Sequence, residues 1–163
     1  MKKMNIAVAL LVSTSLLSTT FNADADTLGI GLGSYDVDGS HSATDFRLDY
    51  EYDTSVWLQE LKPWVGIQAT TDGSLWLGGG LLYDWQFAET WHLKPGVGVG
   101  YYSRGSSQLN LGYPVEFRSQ LELAKALNTQ HSLGLAVSHL SNADLDKDNP
   151  GAEVVSVYWH YRF

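Results

Sequence analysis

The feature that most constrains this chain is an alternation of apolar and polar residues that recurs through almost everything after residue 25. Between Asp45 and Asp53, for example, the even positions are Phe, Leu or Tyr and the odd positions are charged. A period of two residues is that of a β-strand with one apolar face. No window of this region sustains the period of about 3.6 residues that an amphipathic helix requires. We therefore predict an all-β fold.

The alternation divides the region into eight predicted strands, each bounded by turn residues. These strands lie at Leu28–Gly33, Asp45–Asp53, Trp64–Ala69, Leu75–Phe87, Trp91–Tyr101, Val115–Leu123, His131–Asn142 and Ala152–Phe163. Short turns alternate with polar loops, which are expected at Gly39–Thr44, Asp72–Ser74, Ser103–Tyr113 and Ala143–Gly151. An even number of antiparallel strands with aromatic ends is the pattern of an outer-membrane β-barrel. We predict an eight-stranded antiparallel transmembrane barrel with interfacial aromatic girdles, formed by Trp57, Trp85, Phe87, Trp91, Tyr101, Trp159 and Phe163.

Residues 1–25 are predicted to be a signal peptide. Lys2 and Lys3 precede an apolar segment from Ile6 to Leu17, and the small residues around Ala25 suit a signal peptidase. A membrane-anchor helix would need about 20 apolar residues, and this segment is shorter and rich in Ser and Thr. The barrel domain is then residues 26–163, exported to the outer membrane of a Gram-negative bacterium. Its aromatic end at Phe163 resembles the terminal strand that barrel-assembly machinery recognises.

A soluble secreted β-sandwich is the main alternative fold, because its strands also alternate. The barrel is favoured because one face of the strands stays apolar while the other is rich in glycine and in charges of both signs. The apolar, lipid-facing positions are even-numbered in the second predicted strand and odd-numbered from the third to the eighth. The charged residues of the opposite face are expected to pair inside the barrel; they are Arg47, Asp49, Glu51, Glu116, Arg118 and Glu122.

Composition and strand number exclude several classes of function. Lys and Arg number 10 against 18 Asp and Glu, so the net charge is −8 and nucleic acid is not an expected partner. The absence of cysteine excludes thiolate metal sites and thiol nucleophiles. A barrel of this size encloses only enough space for its own side chains, so a diffusion pore is not expected. A membrane enzyme, a ligand-binding or adhesive barrel and a purely structural barrel all stay open.

The last predicted hairpin carries the candidate site. By parity, His139 and Ser141 share the lipid-facing side of the seventh strand, and Glu153 lies on the same side of the eighth. If the hairpin closes around the middle of its loop, Glu153 falls nearly opposite His139, within cross-strand reach. A serine, an imidazole and a carboxylate so placed fit the logic of an activated nucleophile. The alternative is that the rim of the barrel tolerates three polar residues that carry out no chemistry.

The residues of this hairpin also resemble a known family. His139-x-Ser-Asn-Ala143, followed by Asn149-Pro-Gly-x-Glu153, closely resembles the outer-membrane lipid A 3-O-deacylases of the PagL type. The resemblance implies that Ser141 is the nucleophile, His139 the general base and Glu153 the residue that orients the imidazole. It further implies that Asn142 helps to stabilise the oxyanion and that Ala143 and Asn149 shape the loop around it.

The reaction that the resemblance implies is hydrolysis of the ester that holds a 3-hydroxyacyl chain at position 3 of lipid A, without a cofactor or a metal. The substrate would be lipopolysaccharide in the outer leaflet. Two other functions stay open: a non-catalytic barrel that binds lipopolysaccharide, and another outer-membrane acyl hydrolase or transferase. The residues also leave open whether the barrel forms a homodimer.

Overall fold

The computed structural model describes residues 26–163, in which all regular structure is β-strand. The predicted signal peptide at residues 1–25 lies outside these described residues. Within residues 26–163, no helix is long and apolar enough to cross a membrane. The strands are β1 (Thr27–Tyr35), β2 (Ala43–Glu51), β3 (Leu61–Thr70), β4 (Leu75–Tyr83), β5 (Trp85–Ala88), β6 (Trp91–Ser103), β7 (Val115–Ala126), β8 (His131–Ser141) and β9 (Ala152–Arg162).

The strands close into an antiparallel barrel. Apart from β4 and β5, strands that are neighbours in sequence pair with one another, and β1 also pairs with β9 in a register that sets Leu28 opposite Tyr161. Both β4 and β5 pair with β6, so they form a single barrel strand that is interrupted at Asp84. At that point the backbone N–H of Asp84 donates to the Glu60 carbonyl at 2.9 Å, outside the strand ladder. The predicted eight-stranded barrel is therefore confirmed.

Exposure alternates along the strands as the sequence predicts. On β8, Leu133, Leu135 and Val137 point outward and are 46–54% exposed, whereas Gly134 and Ala136 between them are buried. The same alternation holds on the other long strands, and each of the aromatic residues predicted for the girdles is exposed. A soluble β-sandwich would bury this apolar face against a second sheet, so the closed barrel makes that alternative wrong.

Charged side chains fill the lumen of the barrel in pairs. The Nε–H of Arg47 donates to Asp45 at 2.6 Å, Arg118 Nη2 donates to Asp49 at 3.0 Å, and Lys94 donates to both Glu51 oxygens at 2.6 Å. His160 Nε2 lies 2.6 Å from Glu122 Oε1. This pairing satisfies groups that a low-dielectric interior would otherwise penalise.

Glu116 departs from the expected pairing. It is fully buried, and neither of its carboxylate oxygens has a hydrogen-bond partner in the described part of the chain. The indole N–H of Trp76 donates to the Glu116 backbone carbonyl at 3.1 Å and not to the carboxylate. The prediction that Glu116 pairs inside the barrel is therefore wrong: Arg118, the basic residue two positions along the same lumen face, donates to Asp49 and stacks on the Trp64 and Trp76 rings instead.

The end of the barrel that carries the loops 36–42, 71–74, 104–114 and 142–151 is called here the long-loop end, and both termini of the described chain lie at the other end. Leu109 and Leu111 of the loop 104–114 fold over the barrel mouth and join an apolar cluster with Leu140. The same loop is tied to the turn 71–74, since the Ser107 hydroxyl donates to Asp72 at 2.6 Å. Burial opposes ionisation there, but hydrogen bonds from Ser107 and Thr70 hold the pKa of Asp72 below its ordinary value.

Candidate active site

The candidate site lies on the outer surface of the barrel, where β8 and β9 approach the long-loop end. His139 and Glu153 are directly opposite one another in the β8–β9 register. The Nδ1 atom of His139 lies 2.6 Å from Glu153 Oε1, so the imidazole N–H donates to the carboxylate across the strand pair. Their side chains are 42% and 43% exposed, respectively. The pair therefore sits on the lipid-facing side, at the register that parity predicted.

Ser141 is the next outward-facing residue of β8 beyond His139, on the side of the long loops. In the register with β7 it lies opposite Phe117, while His139 lies opposite Ser119. Since the Glu153 carboxylate is bound to Nδ1, the other ring nitrogen of His139, Nε2, is left available. Nε2 has no hydrogen-bond partner within residues 26–163. Nε2 is the nitrogen that accepts the serine proton in a serine–histidine–carboxylate triad. Ser141 and His139 are not hydrogen-bonded here, and such contacts often tighten only when substrate is bound.

Gly151 is a site residue that sequence reasoning did not single out. Its φ is +71°, in the left-handed region that side chains other than glycine rarely adopt. A Cβ at this position would lie 2.7 Å from Cε1 of the His139 ring, so the backbone of Gly151 packs directly against the imidazole. Gly151 and Glu153 thus limit the positions of the ring from two directions. The glycine was present in the hairpin motif, but only the tertiary contact reveals what it does.

The loop after Ser141 is held by a compact set of hydrogen bonds. Asn142 is fully buried, and its Nδ2 atom donates to the carbonyls of Leu111 at 2.9 Å and Asp148 at 2.8 Å. Its backbone N–H donates to the side-chain oxygen of Asn149 at 3.0 Å. Ala143 has a φ of 52°, and the next residue also has a positive φ, so the chain turns sharply at this point.

These bonds define what each predicted support residue does in the structure. Both N–H groups of the Asn142 side chain are occupied by backbone carbonyls, so this side chain braces the loops as the structure stands. Asn149 bridges the two ends of the loop, from the Asn142 N–H to the Asp144 carboxylate at 3.0 Å. The contact with Leu111 comes from the separate loop 104–114. No local sequence signal could have indicated that contact.

A cavity of about 310 Å³ opens beside Glu153, on the far side from His139. It lies between the loop 36–42 and residues 150–153, and Leu109 forms part of its wall. The loop 36–42 is tied to the site, because the Val37 N–H donates to the Glu153 carbonyl at 3.0 Å. Elsewhere, no group of three or more His, Asp or Glu side chains within residues 26–163 is arranged to hold a metal ion.

Comparison with known proteins agrees with the hairpin motif. Residues 34–162 match the family model of PagL, described as lipid A 3-O-deacylase. The chain belongs to this family. The PagL family match spans almost all of the barrel, from the end of β1 to the end of β9, and it includes every residue of the candidate site. The predicted family is therefore confirmed.

One curated relative and two solved structures are similar to this chain. The chain is 26% identical over 102 residues to the lipid A deacylase PagL of Bordetella bronchiseptica, a match that covers 61% of this chain and 57% of that relative. The crystal structure of the outer membrane enzyme PagL superposes with a TM-score of 0.64 at 20% identity, covering 84% of this chain and 99% of the other. Neisserial surface protein A superposes with a TM-score of 0.61 at 12% identity, covering 85% and 96%. The prediction of an outer-membrane β-barrel is confirmed.

Proposed function

We propose that this chain is a lipid A 3-O-deacylase in which Ser141, His139 and Glu153 form the hydrolytic triad. The observation that carries the proposal is the 2.6 Å hydrogen bond from His139 to Glu153 on the lipid-facing side of the barrel, with Ser141 next along the same face. Family membership supplies the reaction class. The hydrogen bond supports the roles, because it leaves Nε2 of the imidazole available to a serine hydroxyl.

The chemistry follows from these positions. His139 Nε2 takes the proton of the Ser141 hydroxyl as its oxygen attacks the carbonyl carbon of the ester at position 3 of the sugar. Glu153 stabilises the imidazolium that forms. When the tetrahedral intermediate collapses, the bond from carbon to the sugar oxygen breaks, and His139 returns the proton to that oxygen. Water, activated in the same way, then releases the 3-hydroxy fatty acid from Ser141.

The negative charge of the tetrahedral intermediate needs a hydrogen-bond donor near Ser141. Since the side-chain N–H groups of Asn142 are bound to carbonyls, we assign this role to the backbone N–H of Ala143, which donates to no group within residues 26–163. Asn142 and Asn149 hold the turn that presents it. The side chain of Asn142 could reach an oxyanion only by giving up its bond to Leu111 or Asp148.

The outward position of the site suits a membrane lipid as substrate. The acyl chain can stay in the bilayer along the apolar barrel wall while the ester reaches Ser141 near the long-loop end. In outer-membrane barrels the longer loops are extracellular, which puts the site in the outer leaflet, where lipopolysaccharide lies. A phospholipid substrate or an acyl acceptor other than water would make the chain another acyl hydrolase or a transferase.

Mass spectrometry of lipid A tests the proposed reaction. Cells that express the chain should lose one hydroxyacyl chain from lipid A, and cells that express Ser141→Ala should not. Thr44→Val, which changes a lipid-facing hydroxyl on β2, is the matched control and should retain activity. Gain of palmitate would instead indicate a transferase. Unchanged lipid A with a folded barrel would support the non-catalytic alternative.

Variants of Glu153 distinguish a catalytic triad from a rim of polar residues that carry out no chemistry. Glu153→Gln should lower the turnover of purified lipid A in detergent sharply, because the amide cannot stabilise the imidazolium. Glu153→Asp should also be slow, since its carboxylate is drawn back from the 2.6 Å contact with His139. If Glu153→Gln keeps most of the parent rate, only a dyad of Ser141 and His139 is defensible.

We also propose that the aromatic end of β9 is the segment that barrel-assembly machinery recognises. Trp159, Tyr161 and Phe163 alternate along the last strand, and consecutive rings of this series lie 6.1 Å and 5.4 Å apart. Removing Phe163 should lower the amount of folded barrel in the membrane without changing the specific activity of the molecules that do fold.

A further inference from the structure

Ser119 is a hydroxyl on the lipid-facing side of β7 that the proposed triad does not use. In the β7–β8 register it lies directly opposite His139, which in turn lies opposite Glu153 on β9. The three polar residues therefore form one row across three strands. Ser119 is exposed, and it makes no hydrogen bond within residues 26–163.

The surroundings of Ser119 make its hydroxyl unusual. The neighbouring outward residues of its own strand, Phe117 and Leu121, are 38% and 45% exposed. Its partner on β6 is Val97, which is 62% exposed. Apart from His139 on β8, Ser119 is thus bounded by apolar residues that face hydrocarbon. A hydroxyl in that position lacks water, so a hydrogen bond must come from the protein or from a lipid.

The orientation of the His139 ring leaves the β7 side of the site open. The hydrogen bond to Glu153 draws the imidazole toward β9, away from β7. A chain that is attached at Ser141 and runs toward the middle of the bilayer therefore passes the row of His139 on its β7 side. The first group that it meets there is the Ser119 hydroxyl. Beyond that point the wall is apolar, with Leu121 opposite Val137 and Leu123 opposite Leu135.

We propose that Ser119 binds the hydroxyl group of the 3-hydroxyacyl chain and thereby selects hydroxylated chains for cleavage. The inference rests on the proposed function, because it takes Ser141 as the point where the ester carbonyl is bound. Ser119 is diagonal to Ser141 in the register, and diagonal neighbours of adjacent strands are about 7–8 Å apart. That spacing accommodates a carbonyl carbon at Ser141 and a hydroxyl two carbons further along the chain at Ser119.

Two glucosamine-phosphate esters of equal chain length, one with the 3-hydroxyl and one without it, provide the test in detergent micelles. The parent protein should prefer the hydroxylated ester in kcat/KM by roughly three- to tenfold, the usual effect of one neutral hydrogen bond. Ser119→Thr keeps a hydroxyl and should keep the preference. Ser119→Val, which has the shape of Thr without its hydroxyl, should cleave both esters at the same rate.

The control is Thr44→Val, which likewise removes a lipid-facing hydroxyl but on β2, away from His139, and should leave the preference intact. The inference is overturned if Ser119→Val retains the preference, or if it slows both esters equally, since Ser119 would then only shape the wall. Ser141→Ala on the hydroxylated ester separates the two proposals. Activity in that variant refutes the triad, whereas an inactive Ser141→Ala together with an unchanged preference in Ser119→Val refutes only the role of Ser119.

Discussion

Two histidine–carboxylate pairs in this barrel have the same hydrogen-bond length and opposite surroundings. His139 and Glu153 meet at 2.6 Å on the outer surface, with side chains 42% and 43% exposed. His160 and Glu122 also meet at 2.6 Å, but inside the lumen, where they are 3% and 2% exposed. The lumen pair spans β8, and the backbone of Gly134 passes between the two strands without a side chain in the way.

The difference between the pairs lies in what can reach the imidazole. The lumen pair is enclosed by strands and by the Lys94–Glu51 ion pair, so its role is to balance charge inside the barrel. The outer pair leaves Nε2 of His139 beside a serine and open to the bilayer. The enclosed pair therefore serves stability, whereas in the proposed mechanism the exposed pair acts on a lipid ester that can approach it.

Replacing each histidine with alanine should separate the two roles most strongly. His139→Ala should lower the rate of deacylation by roughly 10²–10⁴-fold, the usual contribution of a general base. His160→Ala should keep a rate close to that of the parent chain in the molecules that fold. Steady-state rates, with heat-modifiable gel mobility as the measure of folding, provide the comparison. Equal losses in the two variants would remove the distinction between the pairs.

The same lumen variant should have its main effect on stability. His160→Ala leaves the buried Glu122 carboxylate without its hydrogen-bond partner, which typically costs about 3–5 kcal/mol. Adding Glu122→Gln to that variant should recover part of the loss, because the unpaired charge is then absent. Urea unfolding in detergent, followed by tryptophan fluorescence, measures both changes. The idea fails if the double variant is less stable than His160→Ala alone.

Gly151 tests how precisely the outer pair must be held. Gly151→Ala forces a side chain into a φ of +71° and against the His139 ring. We expect the rate to fall by about tenfold to a hundredfold, since small displacements of a catalytic group have effects of that size. Gly73→Ala is the matched control, because Gly73 has a φ of +93° but lies in the turn 71–74, away from the site. A similar rate loss in both variants would indicate general distortion of the loops.

The smallest effect is expected at Glu116, a lumen carboxylate that lacks the partner Glu122 has. Glu116→Gln should raise the free energy of unfolding by about 1 kcal/mol, because a neutral amide is easier to bury than an unpaired carboxylate. Glu122→Gln should lower it under the same conditions. Changes of opposite sign in the free energy of unfolding, measured by urea titration, would confirm that the His160 hydrogen bond makes the difference between these two residues.

The sequence alone determined the strand number, the face that meets the lipid and the opposition of His139 and Glu153. All three follow from the period-two alternation, because parity decides which side chains share a face and a hairpin restricts which residues pair. The motif around Ser141 added the family. These inferences are local, or they join neighbouring strands, so a one-dimensional pattern contains the information that they need.

Only the tertiary structure decided the contacts that cross the lumen or join separate loops. The His160–Glu122 pair and the bond from Asn142 to Leu111 link residues that are distant in sequence, and the same packing leaves Glu116 without a partner. The placement of Gly151 against the imidazole was also decided only by the tertiary structure, because it depends on how the loop 142–151 folds back. Alternation tells which face a residue occupies. It does not tell which residues meet across a closed barrel, since that depends on strand tilt, stagger and the packing of side chains in the lumen.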